Sequence, residues 1–530
     1  MHARGLTGTL AALTLALTGQ LVVAGPASAA SSWWVDNTTS SCADTGPGTA
    51  TTPFCTIGAA AGHALSAGDT VTVSPGVYPE QVTVGASGVG GAPIRFVASG
   101  PGVSVVGTRD LSAATWSSQA GGIWSTPYAP PSSPKQVFVD GSRLATGTSA
   151  TALPSGSFYY DTTAKVLYVN AGGQSPTGHA VLAGAQTYGF NVVGRSNISI
   201  EGFDTTGQNL AGLHVSGSST VSLSNVSSTS SGSYGILVES SSSGITVASS
   251  TVTASASVGI RLSATTGSTV SGSSVSGAGN HGISLQGSSG NVIEHNESAQ
   301  NRVTSGSATA AGIDVNATST DNVVRANVVH DNQDSGIQIY NGSARALVVR
   351  NISYGNGNHG LDTLGSTGVR YVSNTSYGNH DDGISVEGLS TGATLRNNIS
   401  VDNGLTTASS DLYVEQTSMT GFSADSDLIW NSAWAPSVRI GLTRYQTVES
   451  FAAATGQEQA GLGRDPQFVA ASTHDFRLAA QSAAIDAADA GASGFEPLDR
   501  AGTAPTDDPT VVDRGTGTPA YADRGALERV

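Results

Sequence analysis

The sequence predicts an all-β chain wound as a parallel solenoid, and three regularities carry that expectation. Three near-copies of one word, DSGIQIY, NHGLDTL and HDDGISV, place Gly336, Gly360 and Gly383 at spacings of 24 and 23 residues. An asparagine recurs in register with them, at Asn327, Asn351, Asn374 and Asn398. Serine, threonine, glycine and asparagine dominate the composition, while Val, Ile and Leu return at fixed positions. A period of this length, in a chain poor in helix formers, marks stacked coils that bury a core only against one another.

The same register extends over eight coils, through Gly212, Gly235, Gly259, Gly282, Gly312, Gly336, Gly360 and Gly383. Each glycine is followed by Leu or Ile, and two positions later by Val, Leu or Ile, with Thr363 the exception. Side chains alternate across a strand, so these apolar positions point inward and the residues between them outward. The asparagine column reads as a buried ladder of side-chain amides at a turn.

Composition bounds the partners. The chain has 530 residues, a net charge of −16 and only two lysines, Lys135 and Lys165. Phosphate backbones need a basic surface, so nucleic acid is excluded as a partner. Residues 1–30 read as a secretory signal peptide: His2 and Arg4, an apolar run broken by Thr, Gly and Gln, then Ala27-Ser28-Ala29 before the cut. No later stretch is apolar enough to span a membrane. The expected location is extracellular, and the expected state is a monomer. Cys42 and Cys55 are the only cysteines, and export suits a disulfide between them that closes an N-terminal loop.

Residues 31–107 are expected to form an N-terminal cap and the first coils. Thr56 to Leu65 reads as a short alanine-rich helix with Thr56 as its N-cap, lying over the open end of the core. Strand words and a Ser74-Pro75-Gly76 turn follow. The words TPFCTIGAAA, AGDTVTVSPGVYPEQVTV and GAPIRFVASGPGVSVVG resemble the opening of secreted right-handed parallel β-helix proteins of the pectate-lyase-like group. That resemblance implies a right-handed coil and a carbohydrate-active protein. Residues 108–185 interrupt the repeat with hairpin words, a small β insert like those of several carbohydrate-active β-helix families. Its Tyr159, Tyr160 and Tyr168 either stack on sugar rings or cover the insert's own core. Coils with an active face are expected over 186–405. Residues 406–530 are expected to supply C-terminal coils and a segment covering the last of them, with 498–520 on the surface.

The candidate chemistry sits on the outward face of the late coils. Early coils carry mostly small or neutral residues there, whereas later ones carry Asp314, Gln338, Tyr340, Asp362 and Glu387, preceded by Asp334, His359, Asp381 and Asp382. Coils stack about 4.8 Å apart, which puts Asp314 and Asp362 roughly 9.6 Å apart and Asp362 and Glu387 roughly 8 Å apart diagonally. Inverting glycosidases hold two carboxyls about 6.5–9.5 Å apart, with a water between them. Neighbouring carboxylates also raise one pKa, making one of them an acid.

The order Asp362, then Asp381-Asp382, resembles the three-aspartate arrangement of β-helical glycoside hydrolases such as polygalacturonases and dextranases. The pair matches by register, but the lone aspartate of polygalacturonases falls on His359, and their downstream Gly-His-Gly and Arg-Ile-Lys words are absent. A second resemblance is to β-helical polysaccharide lyases, which use Ca²⁺ or a neutral amide and a Lys or Arg base. It implies Asp362, Asp381, Asp382 and Glu387 as Ca²⁺ ligands. No lysine lies in any coil; Arg345, Arg350, Arg370 and Arg396 are the late-coil arginines, and Arg350 and Arg370 read as solvated.

The sequence thus favours a secreted glycoside hydrolase acting on a polysaccharide and needing no metal or other cofactor. Asp362, Glu387, Asp382, Asp381 and His359 are the catalytic candidates, and Asp314, Asp334, Gln338 and Tyr340 the substrate-binding ones. A Ca²⁺-assisted lyase and a non-catalytic glycan-binding protein are the alternatives.

Overall fold

In a computed structural model that describes residues 30–303, 309–407 and 409–529, the chain is a parallel β-helix. The expected signal peptide lies outside the described residues, apart from Ala30. Among the described residues no helix is long and apolar enough to cross a membrane. Three long sheets of 13, 13 and 12 strands run the length of the stack, and each coil contributes a short strand to each. One coil reads Ile337–Tyr340, Leu347–Val349, Ile352–Tyr354, and the next returns to the first sheet with Leu361–Leu364. Pairing is parallel and in register: Ile337 lies beside Leu361, which lies beside Ile384. One continuous core of Val, Ile, Leu and Phe fills the stack from Val35 to Phe451. Thr363, the polar exception, also points inward and shares a hydrogen bond with the Tyr371 hydroxyl at 2.7 Å.

The recurring glycine is a matter of close approach. A Cβ at Gly336, Gly360 or Gly383 would collide with Ser353, Ser376 or Ser400 Oγ. Those hydroxyls donate to Gly360 O at 2.8 Å, Gly383 O at 2.9 Å and Asp411 O at 2.7 Å, so serine and glycine lock each other in place.

The asparagine column is a hydrogen-bonded ladder. Asn296, Asn327, Asn351 and Asn374 each donate Nδ2–H to the next amide oxygen at 2.9–3.0 Å, and Asn398 donates to Asp427 Oδ1 at 2.8 Å. Each side-chain oxygen also takes the backbone N–H of the preceding asparagine, so one side chain satisfies two donors at a tight bend. A second ladder runs five residues later, through Asn301, Asn332, Asn356, Asn379 and Asn403, and ends on Asp411. Earlier coils use serine in the same place: Ser250 N–H donates to Ser273 Oγ, and Ser273 N–H to Asn296 Oδ1.

The ends are closed by helices. Ile57–His63 buries Ile57, Ala60 and Ala61 in the core; Thr56 Oγ1 accepts from Ala59 N, and the Glu80 carboxylate takes the N–H groups of Ile57 and Gly58. The Cys42–Cys55 disulfide is present just before it. Val448–Thr455 closes the other end with Val448 and Phe451.

Between Thr108–Asp110 and Val181–Gly184 lie two small sheets with a core of their own. Tyr160 belongs to that core and donates its hydroxyl to Tyr128 O at 2.9 Å, while Tyr159 and Tyr168 pair across strands.

The tail departs from expectation. Instead of covering only the last coil, residues from about 468 onward run back along the flank of the stack. Leu478, Ala484 and Ile485 pack on Ile399, Val401 and Leu428. Arg350, read from the sequence as solvated, is 1% exposed; it pairs with Glu528 at 2.7 Å and donates to Gly525 O at 2.9 Å. It borders an apolar strand because the tail, not water, faces it. Residues 498–520, expected on the surface, are mostly exposed, but Asp499 is buried there.

Candidate active-site groove

The strands that carry the candidates belong to one sheet, and their outward residues form a column. Asp314 lies beside Gln338, Gln338 beside Asp362, Asp362 beside Ser385, Ser385 beside Tyr413, and Tyr413 beside Arg439. Gln338 and Asp362 of this column floor a groove of about 410 Å³, bordered by His281, Asp334, Tyr340, Asn358, His359 and Glu387; Asp314 does not line it. A larger cavity of about 790 Å³ lies between the insert and the first coils, lined by Val77, Phe138 and Leu182 among others. Among the described residues, the groups of three His, Asp or Glu that converge do not lie in that cavity.

Three of the five catalytic candidates converge. A ring nitrogen of His359 and one oxygen each of Asp362 and Glu387 lie within 4.8 Å of one another. The roughly 8 Å expected refers to backbone positions, and the side-chain ends come closer than that. Both carboxylates project from the same face and lean toward the imidazole between them, which backbone positions do not reveal. His359 Nε2 lies 3.3 Å from Glu387 Oε1, and Ser385 Oγ donates to the same oxygen at 2.8 Å.

Asp362 faces outward, yet it is only 2% exposed, at the bottom of the groove. Gln338 Nε2 donates to its Oδ2 at 3.1 Å, and its Oδ1 is buried without a partner. Asp382 sits on the far side of His359, with Oδ2 at 3.5 Å from Nδ1. It accepts the Ser410 N–H at 2.7 Å and pairs with Arg439 at 3.4 Å. Asp381 stands apart, beside His380 at 3.4 Å and Ser409 at 3.5 Å.

Environment separates the protonation of these groups. Burial pushes Asp362 up to about 7; His359 and Gln338 oppose the rise, and Glu387 adds to it. Glu387 moves the other way, held below the usual carboxylate value chiefly by its hydrogen bond to His359, against burial, with help from Ser385. Burial disfavours the charged imidazole, but Glu387, Asp362 and Asp382 outweigh it and lift His359 to about 9. The Asp382 N–H points at Nδ1 from 3.2 Å, which suits the neutral ring. The acidic groups around the ring favour its charged form instead. Burial raises Asp382 as well, offset by His359, Ser410 and Arg439.

Three of the four substrate-binding candidates lie along the groove. Asp334 accepts from Asn358 Nδ2 at 2.8 Å, and Tyr340 is 36% exposed at the rim. Asp314 is two coils from Asp362 and outside the cluster; Ser284 Oγ donates to it at 3.1 Å, and His281 Nε2 lies 3.8 Å away. His281 repeats the setting of His359, since its Nδ1 accepts the N–H of Ala311 just before the next glycine.

Arg439 and Tyr413 were not anticipated. The guanidinium lies 3.8 Å from the Tyr413 ring centroid and turns toward Asp382. Their coils lack the leading glycine, so the register search stops before them. The remaining signal is the apolar-polar-apolar strand, Leu412-Tyr413-Val414 and Val438-Arg439-Ile440.

The sequence model of a family described as a right-handed beta helix region matches residues 188–353 and 300–419. Comparison with curated protein sequences gives no match. Among solved structures, the chain is similar to XylC in complex with xylose (15% identity, TM-score 0.47, covering 76% of this chain and 75% of that one). It is similar to the pectate lyase Pel9A (15% identity, TM-score 0.47, covering 95% and 98%). It is also similar to the Azotobacter vinelandii mannuronan C-5 epimerase AlgE4 A-module (12% identity, TM-score 0.40, covering 73% and 86%). None of the three reaches a TM-score of 0.5. The stacked coils are those of a right-handed parallel β-helix.

Proposed function

We propose that the chain is a secreted glycoside hydrolase that cleaves a polysaccharide with retention of configuration. One observation carries the reading: an oxygen of each of two carboxyls lies within 4.8 Å of the other, one group pushed up to about 7 and the other held low by the imidazole beside them. Retaining enzymes hold their carboxyls about 5–5.5 Å apart, whereas inverting ones need room for a water. Oxygens this close support the retaining arrangement over the inverting one expected from backbone spacing.

Glu387, ionised, is the nucleophile and Asp362, protonated, the acid. Glu387 attacks the anomeric carbon while Asp362 gives its proton to the departing glycosidic oxygen, leaving a glycosyl ester on Glu387. The ester carries no charge, so the repulsion that helps raise Asp362 disappears and its pKa falls. Asp362 then takes a proton from the water that cleaves the ester, which restores both groups. His359 holds Glu387 in place, and Asp382 with Arg439 holds His359. Asp334, Gln338 and Tyr340 bind sugar hydroxyls along the groove. With so many acids in it, the groove favours a substrate of low charge.

Calcium asks for hard oxygen donors. The groups that converge include an imidazole and leave Asp381 out, so this donor set does not fit the lyase reading, and no step is drawn through calcium. Incubation with a panel of polysaccharides, followed by NMR of the first product anomer, tests the proposal. The expected outcome is reducing ends of retained configuration. An inverted anomer, an ultraviolet-absorbing unsaturated product, or a glycan bound but uncut would overturn it.

A further inference from the structure

Among the described residues, two groups of three titratable side chains come close enough to hold one ion. One is the groove cluster. The other is Asp486, Asp507 and Asp513, in the tail that packs on the flank of the stack. We propose that these three aspartates bind a calcium ion, which ties the 507–515 loop to the body of the protein.

Asp486 is fixed from several sides. It follows Ile485, which is buried against Ile399, Val401 and Leu428. Its N–H donates to Asp523 Oδ1 at 2.8 Å, and its carbonyl accepts the N–H groups of Arg514 at 2.7 Å and Gly515 at 2.9 Å. The residue is 0% exposed. Its side chain reaches toward the loop, where Oδ2 takes the Asp508 N–H at 3.4 Å.

The other oxygen, Oδ1, is buried with no hydrogen-bond partner. A buried carboxylate with an unpartnered oxygen, set within 4.8 Å of two further carboxylates, is costly unless something positive neutralises it. Among the described residues no Arg, Lys or His pairs with any of the three; Arg529 goes to the neighbouring Asp508 instead.

The donors are all oxygen, which selects a hard cation. Two of the three aspartates are exposed, so waters can fill an irregular shell, which calcium tolerates and magnesium does not. Three carboxylates on a surface loop correspond to an affinity on the order of 10⁻⁴–10⁻³ M, as in extracellular calcium modules.

The test uses the full mature chain, by calorimetric calcium titration and by melting in excess calcium against excess chelator. The wild type should bind one calcium per chain here and melt at a higher temperature with calcium. Asp507→Asn combined with Asp513→Asn, both at exposed positions, should abolish that shift. Glu387→Gln, in the groove cluster, should keep it. A wild type indifferent to calcium, a shift that survives in the double variant, or a shift lost in Glu387→Gln would overturn the proposal.

Discussion

His359 acts on its two neighbours in the same sense, since a positive ring favours the charged form of both carboxyls, and the burial of Asp362 is what sets them apart. Catalysis needs Glu387 ionised and Asp362 protonated, so activity should fall as pH rises past about 7, where Asp362 loses its proton. In His359→Gln the positive ring is gone and both carboxyl pKa values rise. The acid and alkaline limbs of the kcat/KM profile should both move to higher pH, which a rate profile across pH 4–9 would reveal.

Asp362 also links stability to pH. Its folded pKa is raised from 3.8 to about 7. The stability tied to its protonated form is complete below pH 3.8 and is lost as pH climbs through about 7. Asp362→Asn, which needs no proton, should therefore melt a few degrees above the wild type at pH 8. The two should converge near pH 4, while turnover falls by about 10²–10⁴-fold. The trio was legible in the sequence because Asp362 and Glu387 interrupt an otherwise small or neutral outward column. Their separation was not, because it depends on where side chains lean. Arg439 was missed because its coil lacks the glycine.

At the scale of the element, the ladders hold the bends. In Asn351→Ala, the backbone N–H and one Nδ2–H of Asn327 lose their acceptor inside the protein, while the other Nδ2–H keeps Ile293 O. Each orphaned group costs about 1–3 kcal/mol, so a chemical melt should show a loss of roughly 2–6 kcal/mol. Recovery with Asp, which can still accept, should exceed recovery with Leu, which cannot. The first ladder was readable from its period. The second escaped notice because its asparagines stand in the loop just before each site strand, where Asn is common for other reasons.

Over the whole molecule, the stack could be read from its repeat, but the path of the tail could not. Beyond Asn403 no period relates the chain to the coils it will touch, so nothing local says that Glu528 meets Arg350, 178 residues earlier. That pair is fully buried, and removing one partner leaves a charge without compensation. Arg350→Met should cost about 3–5 kcal/mol and make the tail an early target of limited proteolysis, ahead of the coils. The groove residues lie on another sheet, so any enzyme that survives should keep its kcat.

The two amide ladders share a direction: every asparagine gives to the next coil and receives from the one before. Both end on an aspartate, Asp427 and Asp411, which accepts but has no amide to pass on. Past them the ladders give way to other partners: Asp427 N–H turns to Glu458 Oε2 at 3.1 Å, and Asn431 Nδ2 donates to Asp411 Oδ2 at 3.2 Å. The stack is closed instead by the helix Val448–Thr455, which lays Val448 and Phe451 over the end of the core. A coil duplicated between Asn327 and Asn398 meets no such stop, and would lengthen the groove while leaving both ends closed.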